Sequence, residues 1–182
     1  KDRNEPLEVP ANSSKDKTLS DKFNLNLDFY HLLGSQTGYR IKTFAYRTNF
    51  NNEVEGETGS TATKLGQELQ LDLQPNPALS LTLGTEWIAD RVRSSPTLFG
   101  NHNGLNLAAY VQAELEPKEG LSLSAGGRFD RARTDNRTPE KSFSPKLGLS
   151  YRLTPQTGLR STLGWGFRSP SIAEIYTNAT FS

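Results

Sequence analysis

The strongest constraint on this chain is an alternation of apolar and polar residues that runs for about ten residues at a time and keeps returning. Phe23, Leu25, Leu27 and Phe29 alternate with Asn24, Asn26, Asp28 and Tyr30. Leu65, Leu69, Leu71 and Leu73 stand against Gly66, Glu68, Gln70 and Asp72, and the pattern recurs over 79–90, 105–116, 121–129, 147–153 and 159–167. Successive side chains of a strand point to opposite faces, so period two means a strand with one apolar and one polar face. Residues 39–50 are strand-like as well, but Phe44 and Tyr46 break the parity and leave the facing ambiguous. Residues 1–20 are polar and aperiodic and read as a loop. The pattern predicts eight strands and no long helix.

The connections alternate too. Those at 34–38, 74–78, 117–120 and 154–157 are short and rich in Gly, Pro and Asn, as tight hairpins require. Between them lie longer polar connections at 51–63, 92–103 and 131–141. A barrel in a bacterial outer membrane has this organisation, with short periplasmic turns, long extracellular loops and strands long enough to cross the bilayer at a tilt. Phe29, Tyr30, Tyr39 and Tyr151 lie near the short turns, while Phe50, Trp87, Phe129, Phe143, Trp165 and Phe167 lie toward the long ones. Such placement matches the two aromatic girdles of a membrane barrel. The fold class expected is therefore all-β, an antiparallel up-and-down transmembrane β-barrel segment of about eight strands.

Composition removes several alternatives. The chain has 182 residues, is 34% hydrophobic and carries a formal charge of +1. No apolar run approaches the roughly 20 residues of a membrane helix, and no basic excess points to nucleic acid. With no cysteine and two histidines, thiolate chemistry is absent and no cofactor or resident metal is expected. No Ser/His/acid spacing suggests a nucleophile with its base, so no enzyme is expected. Residues 164–166, Gly-Trp-Gly, offer no third glycine for a phosphate loop.

The stretch 143–176, FSPKLGLSYRLTPQTGLRSTLGWGFRSPSIAEIY, resembles the TonB-dependent outer-membrane receptors, with a strand beginning S-P-K-L-G-L and a second ending G-F-R-x-P-S-x-x-E-x-Y. The pieces 79–95, 107–117 and 121–131 look like hairpins that precede it in that family. The resemblance implies a bacterial outer-membrane location and a barrel of 22 strands around an N-terminal plug. It also implies import of a scarce ligand, a siderophore, cobalamin or another metal chelate, driven indirectly by TonB. Residues 1–182 would then be part of a single barrel domain, an internal segment with its plug absent. A stand-alone eight-stranded barrel with a structural or adhesive role is the main alternative, since eight strands can close. A soluble β-rich binding module is a more distant one.

Residues follow from this picture. If apolar positions meet outer-membrane lipid, the polar ones meet the lumen and the plug. Glu68, Asp72, Glu86, Asp90, Glu114 and Glu116 then form an acidic arc, while Arg128, Lys146, Arg152, Arg160 and Arg168 form a basic one, with Asp130 as its exception. These charges either dock a plug of complementary surface or pair among themselves. On the 92–103 connection, Phe99, Asn101, His102 and Asn103 could stack on and hydrogen-bond a small ligand. His102 has no second metal-binding side chain beside it in sequence. After Pro170, Ser171 is placed to cap a short helical turn through Glu174, with Ile172, Ile175 and Tyr176 on its apolar side.

Overall fold

A computed structural model describes residues 18–52, 59–94 and 100–176. Eight strands follow one another: β1 (Thr18–Leu32), β2 (Thr37–Asn52), β3 (Ser60–Asn76), β4 (Leu79–Ser94), β5 (His102–Lys118), β6 (Leu121–Thr134), β7 (Glu140–Thr154) and β8 (Thr157–Gly164). A five-residue helix, α1 (Ile172–Tyr176), comes last. Each strand pairs antiparallel with the next, giving one sheet in chain order. This is the expected all-β, up-and-down architecture. Among the described residues β1 and β8 do not pair with each other, so the sheet is open at both edges.

Most strands run 14 to 17 residues, longer than the bilayer alone demands, because they continue into what the alternation left as long connections. The connection between β6 and β7 shrinks accordingly to 135–139. The short turns are tight: Pro77–Ala78, Glu119–Gly120 and Pro155–Gln156 each contribute two residues. Gly120 adopts φ 78°, the left-handed region that glycine occupies without penalty. Asn76 Oδ1 accepts from the Ala78 N–H at 3.0 Å, closing its own turn.

β8 is the exception, with 8 residues. The alternation predicts a strand reaching Phe167, but pairing stops at Lys146↔Gly164. The next residue on β7 is Pro145, which has no N–H to give; its carbonyl takes one last bond from Trp165 N at 3.0 Å. The chain then leaves the sheet.

Register settles the two faces. Odd-numbered positions carry Phe23, Leu69, Leu83, Leu107, Phe129 and Leu147, and these side chains are exposed. Among the described apolar side chains only Ala108, Ala132 and Ile172 are buried. A soluble sheet cannot leave such a band to water; a bilayer can cover it. The even-numbered face is polar. Phe44 and Tyr46 belong to it: Phe44 stands opposite Gly66, and a methyl group on Gly66 would collide with the Phe44 ring. The glycine makes room for an inward ring, which is why the parity of β2 looked broken. Tyr30 and Phe50 are also even-numbered, so they leave the expected outer girdles. At the short-turn end Phe29, His31 and Tyr39 cluster on the outer face, with centroids 5.6 to 6.3 Å apart.

Candidate functional site

Long side chains on the polar face bridge neighbouring and next-but-one strands. Asp28 of β1 pairs with Arg40 of β2, whose Nε lies 2.7 Å from Asp28 Oδ1. Lys42 reaches Glu68 at 3.2 Å, and Tyr110 of β5 donates to Glu68 Oε1 at 2.6 Å. Tyr110 crosses β4 to do so, lying over Gly84, its direct cross-strand neighbour. Arg128 of β6 likewise crosses β5 above Ala108 to reach Glu86 Oε1 at 2.6 Å, while its Nε holds Asp130 at 3.1 Å. Small residues at 84 and 108 give these long side chains a path. Asp130 is 6% exposed, and a buried carboxylate needs such a partner.

The expected acidic and basic arcs are therefore not separate. Arg128 satisfies Glu86 and Asp130, Lys42 and Tyr110 satisfy Glu68, and Lys64 lies 3.5 Å from Asp90. Asp72 accepts from Gln70 and Thr82, and Glu114 from Ser122 at 2.8 Å. Lys146, Arg152 and Arg160 on β7 and β8 differ. They are exposed, and among the described residues none reaches a carboxylate. Arg168 sits beyond β8, not on its inner face, because Pro145 ended the ladder. It makes a bidentate pair with Glu174, at 2.6 and 3.2 Å.

Toward the long connections the polar face opens into a groove of about 990 Å³. Lys64, Glu86, Asp90, Arg128 and Asp130 line it, and residues 167–172 lie across it. Asn106 also borders it, and its buried Oδ1 has no hydrogen-bond partner among the described residues. The covering segment is held by the predicted capping box. Ser171 Oγ accepts from Glu174 N at 3.2 Å, and Glu174 Oε2 accepts from Ser171 N at 2.7 Å. Arg168 and these serine bonds bring the Glu174 carboxyl down to about 2.

At the long-connection end the start of β5, the β6–β7 turn and α1 meet on one carboxylate. Asp135, between β6 and β7, lies 2.6 Å from His102 Nδ1 and accepts from Asn103 N at 2.8 Å. It also accepts from the Tyr176 hydroxyl at 2.8 Å. The rings of His102 and Tyr176 stack at 3.6 Å, with the Arg137 guanidinium 5.4 Å from the tyrosine centroid. Partial burial, the largest single influence, raises the Asp135 pKa, but the bonds from Asn103, His102 and Tyr176 together outweigh it and hold that carboxyl low. The same bond to Asp135 pushes the Tyr176 phenol up. Of the expected ligand-contacting residues, His102 and Asn103 are drawn into this cluster, Asn101 is exposed, and Phe99 lies outside the described residues. Sequence reasoning missed Asp135 as the hub. Its φ of 50°, the one positive value among described non-glycine residues, belongs to the tight turn that aims it.

Comparison with known proteins places this geometry. None of the curated proteins compared matches the sequence. Among solved structures, the iron transporter FrpB from Neisseria meningitidis superposes with a TM-score of 0.73 at 15% identity, covering 82% of this chain and 28% of its own. The copper transporter OprC gives 0.73 at 14% identity, covering 85% and 30%. The ferric citrate transporter FecA gives 0.66 at 14% identity, covering 82% and 28%. The chain thus spans less than a third of the length of these structures, and at such identity the likeness speaks for the fold. The family described as "TonB dependent receptor-like, beta-barrel" matches residues 2–182. The open sheet with one apolar and one polar face is thus an arc of a barrel wall, and the chain belongs to the TonB-dependent receptor β-barrel family.

Proposed function

We propose that the chain forms part of the wall of an outer-membrane receptor that actively imports a scarce ligand, a siderophore, cobalamin or another metal chelate. The observation that carries this is the open eight-stranded sheet with its lipid-compatible outer face and charged inner face. A stand-alone eight-stranded barrel would pair β1 with β8, and these edges stay apart among the described residues. Transport, not catalysis, is the role. Residues 1–182 belong to the barrel domain alone, and a plug of the same receptor fills the lumen and relays the action of TonB.

Within that reading the inner wall has two tasks. The paired set around Glu68, Glu86, Arg128 and Asp130 keeps the wall rigid beneath the groove, and Glu114 extends its polar surface toward the short turns. Lys146 and Arg160 present uncompensated charge to the plug, and Arg168 helps hold the segment across the groove. Asn101, His102 and Asn103 form the ligand-facing rim. The groove and the free Asn106 Oδ1 suit a polar chelate that brings its own hydrogen-bond donors.

The test is uptake. Cells producing the full-length receptor in an iron-limited medium are supplied with labelled ferric siderophores, labelled copper chelates and labelled cobalamin, with and without functional TonB. Accumulation of one class that disappears without TonB is the expected result. Accumulation that is independent of TonB, or passive leakage of all three, would overturn the reading.

A further inference from the structure

The segment across the groove is a braced arm with a loose root and a separate fastening at its tip. Its root is the point where β8 leaves the sheet. Beyond the bond from Trp165 N to Pro145 O at 3.0 Å, no backbone bond ties residues 166–170 to a strand among the described residues. A methyl group on Gly166 would meet nothing within 4 Å. A glycine in open space changes φ and ψ at little cost, which suits a hinge. From Arg168 onward the arm is held to itself. The capping box of Ser171 and Glu174 and the paired bonds from Arg168 to Glu174 close its first turn, and Ile175 N bonds back to Ser171 O at 3.1 Å. Against the wall it rests on one tooth. Ile172 is 8% exposed, and its Cδ1 lies 3.8 Å from where a Cβ on Gly104 would stand, so the bare backbone of β5 is its socket. The tip is fastened by the Tyr176 hydroxyl on Asp135 and by the stack of its ring on His102.

The groove that this arm crosses holds two wall groups with little to bond. Asn106 Oδ1 has no partner among the described residues, and Asp90, directly opposite Gly104, has Lys64 at 3.5 Å. A segment that only completed the wall would be sewn into the ladder. Here Arg168, Ser171 and Glu174 are exposed, and the arm is held at its two ends and by one side chain between them. A braced arm between a hinge and a breakable fastening has two discrete positions. We infer that residues 166–176 are a hinged lid latched shut at Asp135, and that Asp90 and Asn106 meet a ligand only after Tyr176 releases that carboxylate. The inference rests on the transport reading, in which the groove lies on the path of the ligand. It adds control of access to that groove.

Access is measured without a ligand. These 182 residues contain no cysteine, so Asn106→Cys places one thiol in the groove. The full-length receptor in phosphatidylcholine nanodiscs is treated with fluorescein maleimide, and labelling at that residue is followed by peptide mass spectrometry. Its rate reports how often the lid stands open. Tyr176→Phe removes one hydrogen bond, keeps the ring and should speed labelling about fivefold. Asp135→Gly removes the latch at a position whose φ of 50° glycine accepts, and should speed labelling about tenfold or more. Thr162→Cys, on the polar face of β8 and clear of the arm, should label at the same rate with or without either change. One rate for Asn106→Cys with and without the latch would overturn the proposal. So would equal acceleration at Thr162→Cys, which would mean that the whole wall loosens. Tyr176→Phe leaves the β6–β7 turn untouched, so the comparison stands even if Asp135→Gly fails to fold. TonB-independent uptake beside accelerated labelling overturns the transport reading and leaves the lid. Unchanged labelling in a TonB-dependent importer overturns the lid alone.

Discussion

The inner wall has two regions that use charge differently. From β2 to β6 the charges meet: Lys42 with Glu68, Tyr110 with Glu68, and Arg128 with both Glu86 and Asp130. On β7 and β8, Lys146, Arg152 and Arg160 stand among Ser150, Thr162 and glycines without a carboxylate. Charges that bridge next-but-one strands fix the spacing of the wall. Charges left open leave a surface for something else. The first region stiffens the wall, and the second is the one proposed above to face the plug. The largest expected effect comes from breaking the first. Arg128→Met leaves Glu86 and a buried Asp130 facing each other, and should lower stability by about 1–3 kcal/mol, below the fully buried case because Arg128 itself is half-exposed. The temperature at which the folded full-length receptor loses its fast gel migration reports this. Adding Asp130→Asn should recover part of the loss, and a second variant no better than the first would argue against coupling.

Next in size is the backbone beneath the network. Gly126 lies on the polar face between Gln112 and Lys146, and a methyl group there would sit 2.8 Å from Val111 O. A carbonyl in a ladder cannot move aside as a ring can. Gly126→Ala should therefore cost roughly 1–3 kcal/mol, more than Gly66→Ala, where the obstacle is the mobile tip of Phe44. Equal melting temperatures for the two variants would mean that the sheet yields as easily as the side chain. Tyr110→Phe follows, at about 1 kcal/mol for one bond to a half-buried carboxylate.

How much of this could be read beforehand depends on the distance over which each feature is encoded. The strands β3 to β5 were legible because an outer face in lipid imposes period two without interruption. The capping box was legible because Ser171 and Glu174 are three residues apart. Facing in β2 was not, since the inward Phe44 depends on Gly66 across the register. Nor was the end of β8, decided by a proline 20 positions earlier that register alone brings alongside Trp165. Asp135 meets His102 and Tyr176 from 33 and 41 residues away, and nothing local marks it as the point where β5, the β6–β7 turn and α1 meet.

That meeting point gives a further prediction, a pH effect confined to the loops. The Asp135 and Glu174 carboxyls are both depressed in the folded protein. A depressed carboxyl adds stability above its unfolded value near 4, and that stability is lost as pH falls through the folded value. Nothing from these two groups should change between pH 8 and 5. Between about pH 4.5 and about 2, where Glu174 titrates, α1 should detach while the strands persist. Fluorescence of Trp165 in a Trp87→Phe background follows the segment, and far-ultraviolet circular dichroism follows the sheet. Loss of both signals together would mean that the loops and wall form one cooperative unit.

The smallest thermal effect is expected where the comparison has its functional edge. Lys146→Glu with Arg160→Glu alters two exposed side chains that touch no carboxylate, so melting should move by no more than about 0.5 kcal/mol. If these cations dock the plug, the reversal places like charge against an acidic surface, and TonB-dependent uptake by the full-length receptor should fall several-fold. Arg128→Met should do the opposite, costing stability while sparing uptake by the molecules that remain folded. A double reversal that leaves uptake untouched would make β7 and β8 a merely solvated wall. The contrast between the two regions would then be one of packing alone: small residues on β7 and β8 leave their cations nothing to reach, whereas Gly84 and Ala108 open a path for Tyr110 and Arg128.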